Sequence, residues 1–476
     1  MLDGMTDSRL MFRVLMRAFV TDIPRSAWGD IRRLVALAWA VVGLCLSKAV
    51  SWTGWGEVVE SRALLAASRT RYFQRWLNNP HVGVQSLYEP LVRAALRHWK
   101  AVGRVYLALD TSALKGSPFV LIRVSLIYRG RAIPLAWRVI RHASATVGYA
   151  DYQPVLDAAR SILPVGLEVV LLADRGFVHH QLFRWLRCHH WHYRIRLTDD
   201  TLVHLPNHRL LPVRTLLPPK GAAHFYHRVW ILGHCIGPVH LALAQLDEPN
   251  QDPWYIVRDE PTDLTTFDEF GLRFDIEENF LDDKSNGFQV EASRQRSEAA
   301  LERLFLVLAV ATLYCTSVGV GVVRRKLRRW VDTHWDRGMS YLKIGWNWLR
   351  QQFRRGWPIM PPFWLDPDPD PEPAIASRRQ AARAGPTLAV AFFIIQMLNL
   401  SANQLVQFQN LLGSLHQGAQ GRIQLLFSGK DLLHHHFLVE RRQDVSDLPP
   451  AAIPLTAEIA GGGKSGLRPT GPSGQV

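Results

Sequence analysis

A short continuous run of apolar residues, Leu167-Glu-Val-Val-Leu-Leu-Ala173, limits the folds that are open to this chain. Such a run is typical of a central strand in a parallel sheet, because helices cover both faces of that strand. Three strand-like segments precede it, at 105–109, 119–128 and 132–140, and a helical segment at about 149–163 separates them from it. These segments predict an α/β fold in which a sheet carries helices on its faces.

Two aspartates lie at the ends of strands in this part of the chain. Asp110 ends the first strand, and Asp174 directly follows the apolar run. Three strands in a meander, a crossover helix and a parallel strand form the order of a ribonuclease-H-like core. The first and fourth strands are then neighbours, so we expect both carboxylates at one edge of the sheet. The alternatives are a turn at Asp110, before Thr111 and Ser112, and a helix cap or an ion pair with Arg175 at Asp174.

A third acid, Glu277, lies in a segment with helical charge spacing. The offsets −7, −4 and +7 from Glu277 are occupied by Phe270, Arg273 and Lys284. On a continuous helix, at about 100° per residue, these side chains form one column and Glu278 points away from it. Such a column can place its carboxylate on a metal ion while the two cations contact phosphates. A solvated helix face with ion pairs four residues apart is the alternative.

Together the three acids predict a metal site. Carboxylates that converge in a dry site repel one another and take up protons unless cations neutralise them. Asp110, Asp174 and Glu277 therefore predict two Mg²⁺ ions, which prefer oxygen ligands, with Mn²⁺ as a substitute. Such a pair activates a water or a sugar hydroxyl and stabilises the leaving oxygen during displacement at phosphorus. The sequence thus points to chemistry on a nucleic-acid backbone.

The charge of the chain also favours an anionic partner. Its 476 residues carry a formal net charge of +15 and a pI near 10.0, which is typical of proteins that bind nucleic acid or an acidic membrane surface. Arg71 and Arg75 alternate with aromatic residues, and Arg325 lies in a basic block at 324–329. These segments fit contacts to a DNA backbone, and solvated helix surfaces are the alternative. The four widely spaced cysteines support no disulfide framework and favour a reducing cytoplasm.

One apolar stretch has the outline of a membrane span. Residues 304–323 carry no charge and precede the basic block at 324–329. They directly continue a polar helical segment, and a helix packed on a sheet is apolar over most of its circumference. We therefore expect a buried helix and no membrane partner, with a membrane protein as the alternative.

Changes in composition along the chain predict its organisation. The expected segments are a helical DNA-end-binding domain (1–96), the first part of the catalytic core (97–191), a β insertion (192–260), the second part of the core with the Glu277 helix (261–323), a basic Trp-rich helical region (324–365), a Pro/Asp linker (366–386), a C-terminal helical region that is a candidate for dimerisation (387–446) and a disordered tail (447–476).

These motifs together resemble a known family. One large insertion-sequence group of bacterial DDE transposases has a Tyr-Arg-Glu-Lys signature. In type and spacing, four positions of this chain resemble it: Phe270, Arg273, Glu277 and Lys284. Leu107-Ala-Leu-Asp110-Thr-Ser resembles the first aspartate block of that family, and Asp174-Arg-Gly-Phe177 with its preceding strand resembles the second. The resemblance extends over about residues 30–350.

The resemblance implies a ribonuclease-H-like core with a β insertion, and cut-and-paste excision and insertion of a mobile element. It implies that Asp110, Asp174 and Glu277 are metal ligands. The implied partners are terminal inverted repeats, target DNA and a second copy of the chain that pairs two ends. We expect a bacterial cytoplasmic protein associated with the nucleoid. The alternative is a DNA-binding protein that descends from a transposase without its catalysis, although all three acids are present.

The resemblance also implies roles in handling a hairpin at the transposon end. Arg273 and Lys284 match signature residues that contact phosphates, whereas Phe270 keeps the aromatic ring of the signature tyrosine and lacks its hydroxyl. Trp254, in the segment Trp254–Pro261, resembles a tryptophan that stacks on a flipped base. An ordinary tryptophan in the core of a strand is the alternative.

Overall fold

The computed structural model describes residues 7–60, 63–99, 103–205, 209–233, 236–245, 252–284 and 287–374, together with the short segments 389–393, 423–426 and 436–439. The helices are α1 (Asp7–Asp22), α2 (Arg25–Trp28), α3 (Ile31–Ser47), α4 (Trp52–Val58), α5 (Ala66–Leu77), α6 (Val84–Ala95), α7 (Tyr149–Ile162), α8 (His180–Cys188), α9 (Thr265–Gly271), α10 (Phe274–Asp283), α11 (Glu298–Arg324) and α12 (Tyr341–Leu349). The strands are β1 (Arg104–Ala113), β2 (Phe119–Ile127), β3 (Ala132–Arg141), β4 (Glu168–Ala173), β5 (His192–Arg196), β6 (Leu202–His204), β7 (Leu210–Pro212), β8 (Ala222–Ile231), β9 (Ile236–Gln245), β10 (Trp254–Arg258), β11 (Ala389–Phe393), β12 (Ile423–Leu426) and β13 (His436–Val439).

The first described part of the chain is helical, as the sequence predicts. Side-chain caps set the starts of two of these helices: Asp30 accepts a hydrogen bond from the backbone of Arg32 at α3, and Ser51 accepts one from Gly54 at α4. Most of α3 is buried, because its apolar run packs against α1, α4 and α11. Shorter helices close over it, so this region shares its core with the rest of the molecule.

The sheet has the strand order that the sequence predicts for 105–173. β1 pairs antiparallel with β2, β2 pairs antiparallel with β3, and β1 pairs in parallel with β4 through the crossover helix α7. β4 continues in parallel with β5. In the register of β1 and β4, Leu109 lies opposite Ala173, so the next residues, Asp110 and Asp174, leave neighbouring strands at the same edge.

The strands of the range 192–260 extend this sheet. β10 pairs antiparallel with β5, and β9 and β8 follow in order, while β6 and β7 form a small hairpin beside β8. The strand-like segments expected in this range are therefore present. They continue the sheet because the free edge of β5 offers unpaired backbone groups to β10.

The helix α11 contains the apolar stretch 304–323 and forms the centre of the molecule. It is long and apolar enough to cross a membrane, and its most apolar window is wholly buried within the protein. It crosses α12 at closest approach where Gly319 and Gly345 meet: a Cβ on Gly345 would overlap the carbonyl oxygen of Cys315, and one on Gly319 would overlap that of Tyr341. This burial is the one expected for a core helix.

Two expectations for the C-terminal part differ from the structure. In the range 324–365 the described helix is α12, a short 3₁₀ turn spans Arg328–Trp330, and turns make up much of the rest. In 387–446, which the sequence predicts to be helical, the described pieces are the strands β11, β12 and β13. β11 is apolar and pairs in parallel with β8, so sheet pairing overrides its local helical pattern. The tail 447–476 lies outside the described residues.

The first part of the predicted Pro/Asp linker packs against the core. The backbone N–H of Asp366 donates to the hydroxyl of Tyr128 at 3.1 Å, and the Asp366 side chain is buried. Further along, Asp370 pairs with Arg337 at 2.7 Å, and Glu372 pairs with Arg328 at 2.5 Å. The acids of this segment therefore neutralise arginines of the preceding basic region.

Candidate active site

Asp110 lies at the sheet edge with its carboxylate mostly buried. Its Oδ1 accepts a hydrogen bond from the backbone N–H of Thr111 at 2.8 Å, and Oδ2 accepts one from Arg273 at 3.1 Å. Burial, with smaller contributions from the charges of Glu277 and Asp174, raises the pKa of Asp110 to about 6, against the lowering effects of Arg273 and of the Thr111 hydrogen bond. The three acids are therefore close enough to interact electrostatically.

Asp174 begins the 3₁₀ turn Arg175–Phe177 directly after β4. Its side chain does not cap this turn, and its Oδ1 is buried without a hydrogen-bond partner among the described residues. Arg175 faces Asp252 instead, at 3.8 Å. The two alternatives for Asp174, a cap and a partner of Arg175, therefore do not account for this carboxylate, and an unsatisfied buried oxygen calls for a ligand.

The segment that carries Glu277 is two helices and not one. α9 ends at Gly271 and α10 begins at Phe274, so the continuous column expected from Phe270 to Lys284 is broken. Arg273 and Glu277 keep the predicted spacing and pair at 2.6 Å. Lys284 lies beyond the end of α10, where its ammonium donates to the carbonyl oxygen of Ala113 at 2.9 Å. Between the two helices Leu272 and Arg273 keep right-handed helical dihedral angles, but the backbone hydrogen bonds there reach back three residues instead of four, and the chain leaves the helix after Asp283.

Buried polar contacts attach α10 to the sheet and so position Glu277. Arg123, on β2, is 1% exposed; it donates to the side-chain oxygen of Asn279 at 2.8 Å and pairs with Asp283 at 2.7 Å. Burial raises the pKa of Asp283, and the charge of Arg123 opposes that rise. Asn279 and Asp283 are four residues apart, so they share the helix face that points at the sheet. Glu277 remains on the exposed side, with 47% of its side chain accessible.

Arg273 joins Asp110 and Glu277 through one guanidinium. Its side chain is only 6% exposed, and it reaches Asp110 with Nη1 and Glu277 with Nη2. The arginine thus supplies the positive charge between two of the predicted ligands. Within the described residues, the group whose ligand atoms all lie within 4.8 Å of one another is Glu168, His192 and Glu260, and not the predicted triad.

That second group belongs to an arginine–carboxylate network at the other end of the sheet. Glu168 begins β4, so about 20 Å of strand separates it from Asp174. Arg104 donates to both Glu168 and Glu260, and Arg194, which is fully buried, pairs with Glu260 at 2.7 Å. These arginines occupy the polar atoms that a metal would need. No sequence motif marks this network, because its members come from separate strands.

The arginines of this network also change the pKa of Glu260. The charges and hydrogen bonds of Arg104 and Arg194 outweigh burial and lower the pKa of Glu260 to about 2. Glu260 is therefore a structural anion, and the acid-Pro pair at Glu260-Pro261 holds β10 beside β1 and β5.

Trp254 and Phe270 pack together beside this network, since Glu269, the neighbour of Phe270, pairs with Arg194 at 2.5 Å. The ring centroids of Trp254 and Phe270 are 5.7 Å apart and the planes are nearly perpendicular. Phe270 is 1% exposed within a small apolar cluster that includes Phe225 and Ile256, whereas Trp254 lies at its rim and is half-buried. The structure therefore leaves Trp254 partly accessible and encloses the ring of Phe270, which was expected among the DNA contacts.

The remaining predicted DNA contacts are exposed. Arg71 and Arg75 project from α5 into solvent, while Phe73 and Leu77 of the same helix are buried. Arg325 is exposed just after the end of α11. These arginines are separated from the three acids in sequence, and their contribution to DNA binding stays a prediction.

The residues at the candidate site fit divalent cations by their chemistry. Asp110, Asp174 and Glu277 supply carboxylate oxygens, which are the ligands of hard cations such as Mg²⁺. Among the described residues, no donor reaches the buried Oδ1 of Asp174, and burial disfavours the ionised form of Asp110 and so raises its pKa. A cation at this edge would satisfy both.

Comparisons with known proteins identify the class of the domain. A family model for the transposase DDE domain matches residues 139–314, which contain Asp174 and Glu277 and begin after Asp110. This segment of the chain is therefore similar to the DDE domains of transposases. Among solved structures, a cryo-EM structure of a piggyBac transposase synaptic complex with hairpin DNA is similar over 80% of this chain and 90% of that chain, with 10% identity and a TM-score of 0.39. No curated protein matches.

Proposed function

We propose that this protein is a DDE transposase, which cuts a mobile element out of DNA at its terminal inverted repeats and joins it to target DNA. The observation that carries the proposal is the register of β1 and β4, which brings Asp110 and Asp174 to one sheet edge, with Glu277 tied to Asp110 through Arg273. The strand order β3-β2-β1-β4-β5 supports a ribonuclease-H-like core. This arrangement suits displacement at a phosphodiester better than a role in binding alone.

In this proposal Asp110, Asp174 and Glu277 hold two Mg²⁺ ions. When bound, the ions supply an activated oxygen nucleophile and charge stabilisation at the leaving oxygen. The chain contributes the placement of its ligands: strand pairing positions the two aspartates, and the contacts of Arg123 to α10 position Glu277. Bound cations would offset the burial and the neighbouring negative charges that raise the pKa of Asp110, and would thereby favour its ionised form.

Arg273 and Lys284 are proposed to grip phosphates of the distorted strand. Arg273 can exchange a carboxylate for a phosphate, because a guanidinium offers paired donors to either group. Lys284, whose ammonium is partly exposed, lies next to Ala113 at the end of β1. Trp254 is proposed to stack on a base that leaves the helix when a hairpin forms. The buried ring of Phe270 supports Trp254 from below, so it contributes to this function by packing.

The proposed partners are double-stranded DNA, at both transposon ends and target, and a second copy of the chain in a synaptic complex. The net charge of +15 supports a polyanionic partner. A bacterial insertion sequence as source, and a cytoplasmic protein at the nucleoid, belong to the same proposal. They follow from the Tyr-Arg-Glu-Lys type spacing, in which Phe270 is the one departure.

The test is cleavage of a plasmid that carries the inverted repeats flanking the reading frame, with Mg²⁺. Asp110→Asn, Asp174→Asn and Glu277→Gln are each expected to abolish cleavage while DNA binding in EDTA persists. Glu278→Gln is the matched control, because Glu278 neighbours Glu277 on α10, is exposed and faces Arg131 at 3.3 Å. It is expected to cut like the parent.

Two outcomes would contradict the proposal. If the three variants cleave at the rate of the parent, the acids are not metal ligands. If the parent binds the repeats and never cuts them with Mg²⁺ or Mn²⁺, the chain is a DNA-binding protein without catalysis.

A further inference from the structure

A basic groove lies beside the candidate active site. It is formed by the turn between β1 and β2 and by the segment between α10 and α11, and its volume is about 450 Å³. The cations that line it are Lys115, Arg141, Arg294 and Arg296, and all are exposed. We call these four residues and the space between them the basic groove.

Among the described residues, no carboxylate oxygen lies within 4.0 Å of the charged nitrogens of the basic groove. The Glu298 carboxylate is nearby, where it accepts a hydrogen bond from the backbone N–H of Arg141 at 2.9 Å. The acid at the groove wall, Glu291, is engaged: its Oε1 accepts from the backbone of Lys115 at 3.2 Å and faces the ammonium of Lys284 at 3.8 Å. A concave surface with several uncompensated positive charges concentrates anions.

Lys284 connects the basic groove to the three acids. Its ammonium lies between Ala113, at the end of β1, and Glu291 in the groove wall. Asp110 precedes Lys115 by five residues, and β1 continues as far as Ala113, which corresponds to about 10 Å of extended backbone. A duplex strand has one phosphate per about 3.4 Å of helix axis, so roughly three phosphates span this distance. The spacing suits a strand that runs from the groove into the site.

We propose that the basic groove binds successive phosphates of the DNA strand on which the three acids act. That the bound strand is the one to be cut rests on the proposed function. That the groove binds a polyanion rests on the positive charges of the groove itself. Arginine and lysine contacts of this kind hold the backbone in register and carry no base preference. The groove thereby sets which phosphodiester reaches Asp110, at a fixed distance from its own contacts.

The test is the salt dependence of DNA binding by the full chain in EDTA, where no strand is cut. The variants are Arg294→Gln, Arg296→Gln and the two together. The matched control is Arg160→Gln, an exposed arginine of α7 without an ion pair among the described residues. The probes are a fluorescein-labelled duplex of random sequence and one that carries the inverted repeats flanking the reading frame.

Each groove variant is expected to reduce the slope of log affinity against log salt by about 1, and the double variant by about 2, with no change in the control. A reduction with both probes assigns the basic groove to backbone contacts common to both DNAs. A reduction with the random duplex alone assigns it to target DNA, and one with the repeats alone assigns it to the transposon end. Unchanged thermal unfolding of the variants would show that the fold is intact.

The proposal is overturned if the double variant has the slope of the parent with both probes, or if the parent binds neither duplex. If the groove proposal is overturned in this way while the parent still cleaves its repeats, the proposed function is unaffected. If the slope of log affinity against log salt falls as expected but the parent never cleaves its repeats, the proposed catalysis is wrong and the groove is still a DNA-binding surface.

Discussion

Arg273 donates a hydrogen bond from Nη1 to Oδ2 of Asp110 at 3.1 Å, across a sequence separation of 163 residues. The same guanidinium binds Glu277 on the exposed side of α10. A charge this deeply buried interacts more strongly than one in water, so Arg273 offsets much of the repulsion between the two acids. The pair holds the predicted ligands together and leaves Asp110 with a pKa that is still raised, to about 6.

Asp110→Asn is expected to stabilise the metal-free protein at pH 8 by about 1 to 3 kcal/mol. Because the folded-state pKa of Asp110 is about 6, above its ordinary value of 3.8, its contribution to stability is full below pH 3.8 and is lost as pH rises through 6. Urea unfolding in EDTA at pH 8 and pH 4 measures the effect, which should shrink at the lower pH. Glu278→Gln serves as the control, and an Asn variant less stable than the parent at pH 8 would contradict the burial argument.

Asp174→Asn is expected to lose the stabilisation that divalent cations give the parent. A cation that binds the folded state alone raises its stability with concentration, and the buried Oδ1 of Asp174 lacks any other partner among the described residues. Thermal unfolding with increasing MgCl₂ measures this without DNA. The parent and Glu278→Gln should gain melting temperature together. An equal gain in Asp174→Asn would mean that the cation binds elsewhere.

Glu260→Gln is expected to destabilise the protein by roughly 2 to 3 kcal/mol at pH 7. The arginines around Glu260 lower its pKa to about 2, so its contribution is present above its ordinary value of 4.5 and is lost as pH falls toward 2. Urea unfolding should therefore show that Glu260→Gln lowers the free energy of unfolding at pH 7 and lowers it less near pH 3. Glu168→Gln, at the more exposed end of the network, should cost less than half as much. Equal losses at both pH values would exclude an electrostatic origin.

Gly345→Ala is expected to destabilise the fold by about 3 kcal/mol or more, because the new methyl group overlaps backbone of α11 that cannot move aside. Gly271→Ala is the comparison, since a Cβ there meets no atom within 4 Å and should change stability by less than about 1 kcal/mol. Chemical denaturation of both variants decides the point. A tolerated Gly345→Ala would show that α11 and α12 can separate.

Trp254→Ala is expected to reduce hairpin formation and cleavage at intact ends, because a flipped base loses about 1 to 3 kcal/mol of stacking. The loss should be smaller on ends with an abasic site at the flipped position, where no base needs a platform. Trp254→Phe, which keeps an aromatic face at the rim of the cluster, should retain most activity. Equal losses on intact and abasic ends would assign Trp254 to packing against Phe270.

Local patterns account for much of the sheet and for part of the candidate site. The apolar run before Asp174 is a buried parallel strand, and the three strands before it pair as a meander, since hydrophobic periodicity and turns act over a few residues. The spacing of Arg273 and Glu277 also survives, because an ion pair four residues apart needs only one helical turn.

Patterns failed where distant contacts decide the outcome. The break between α9 and α10, the strand β11 in a range expected to be helical and the buried Phe270 all depend on what each segment packs against. The arginine network around Glu260 and the basic groove each draw residues from several separated segments. No regular spacing along the chain predicts that the residues of either set come together.

By itself, the sequence determined the order of strands and helices between residues 105 and 173, the two aspartates at the ends of those strands and the positive charge of the chain, because these follow from composition and short-range periodicity. Only the tertiary structure decided that Arg273 lies between Asp110 and Glu277, that Oδ1 of Asp174 is buried without a partner among the described residues and that four cations line one groove. The reason is that burial and electrostatic fields depend on distances through space, which strand register and helix packing set.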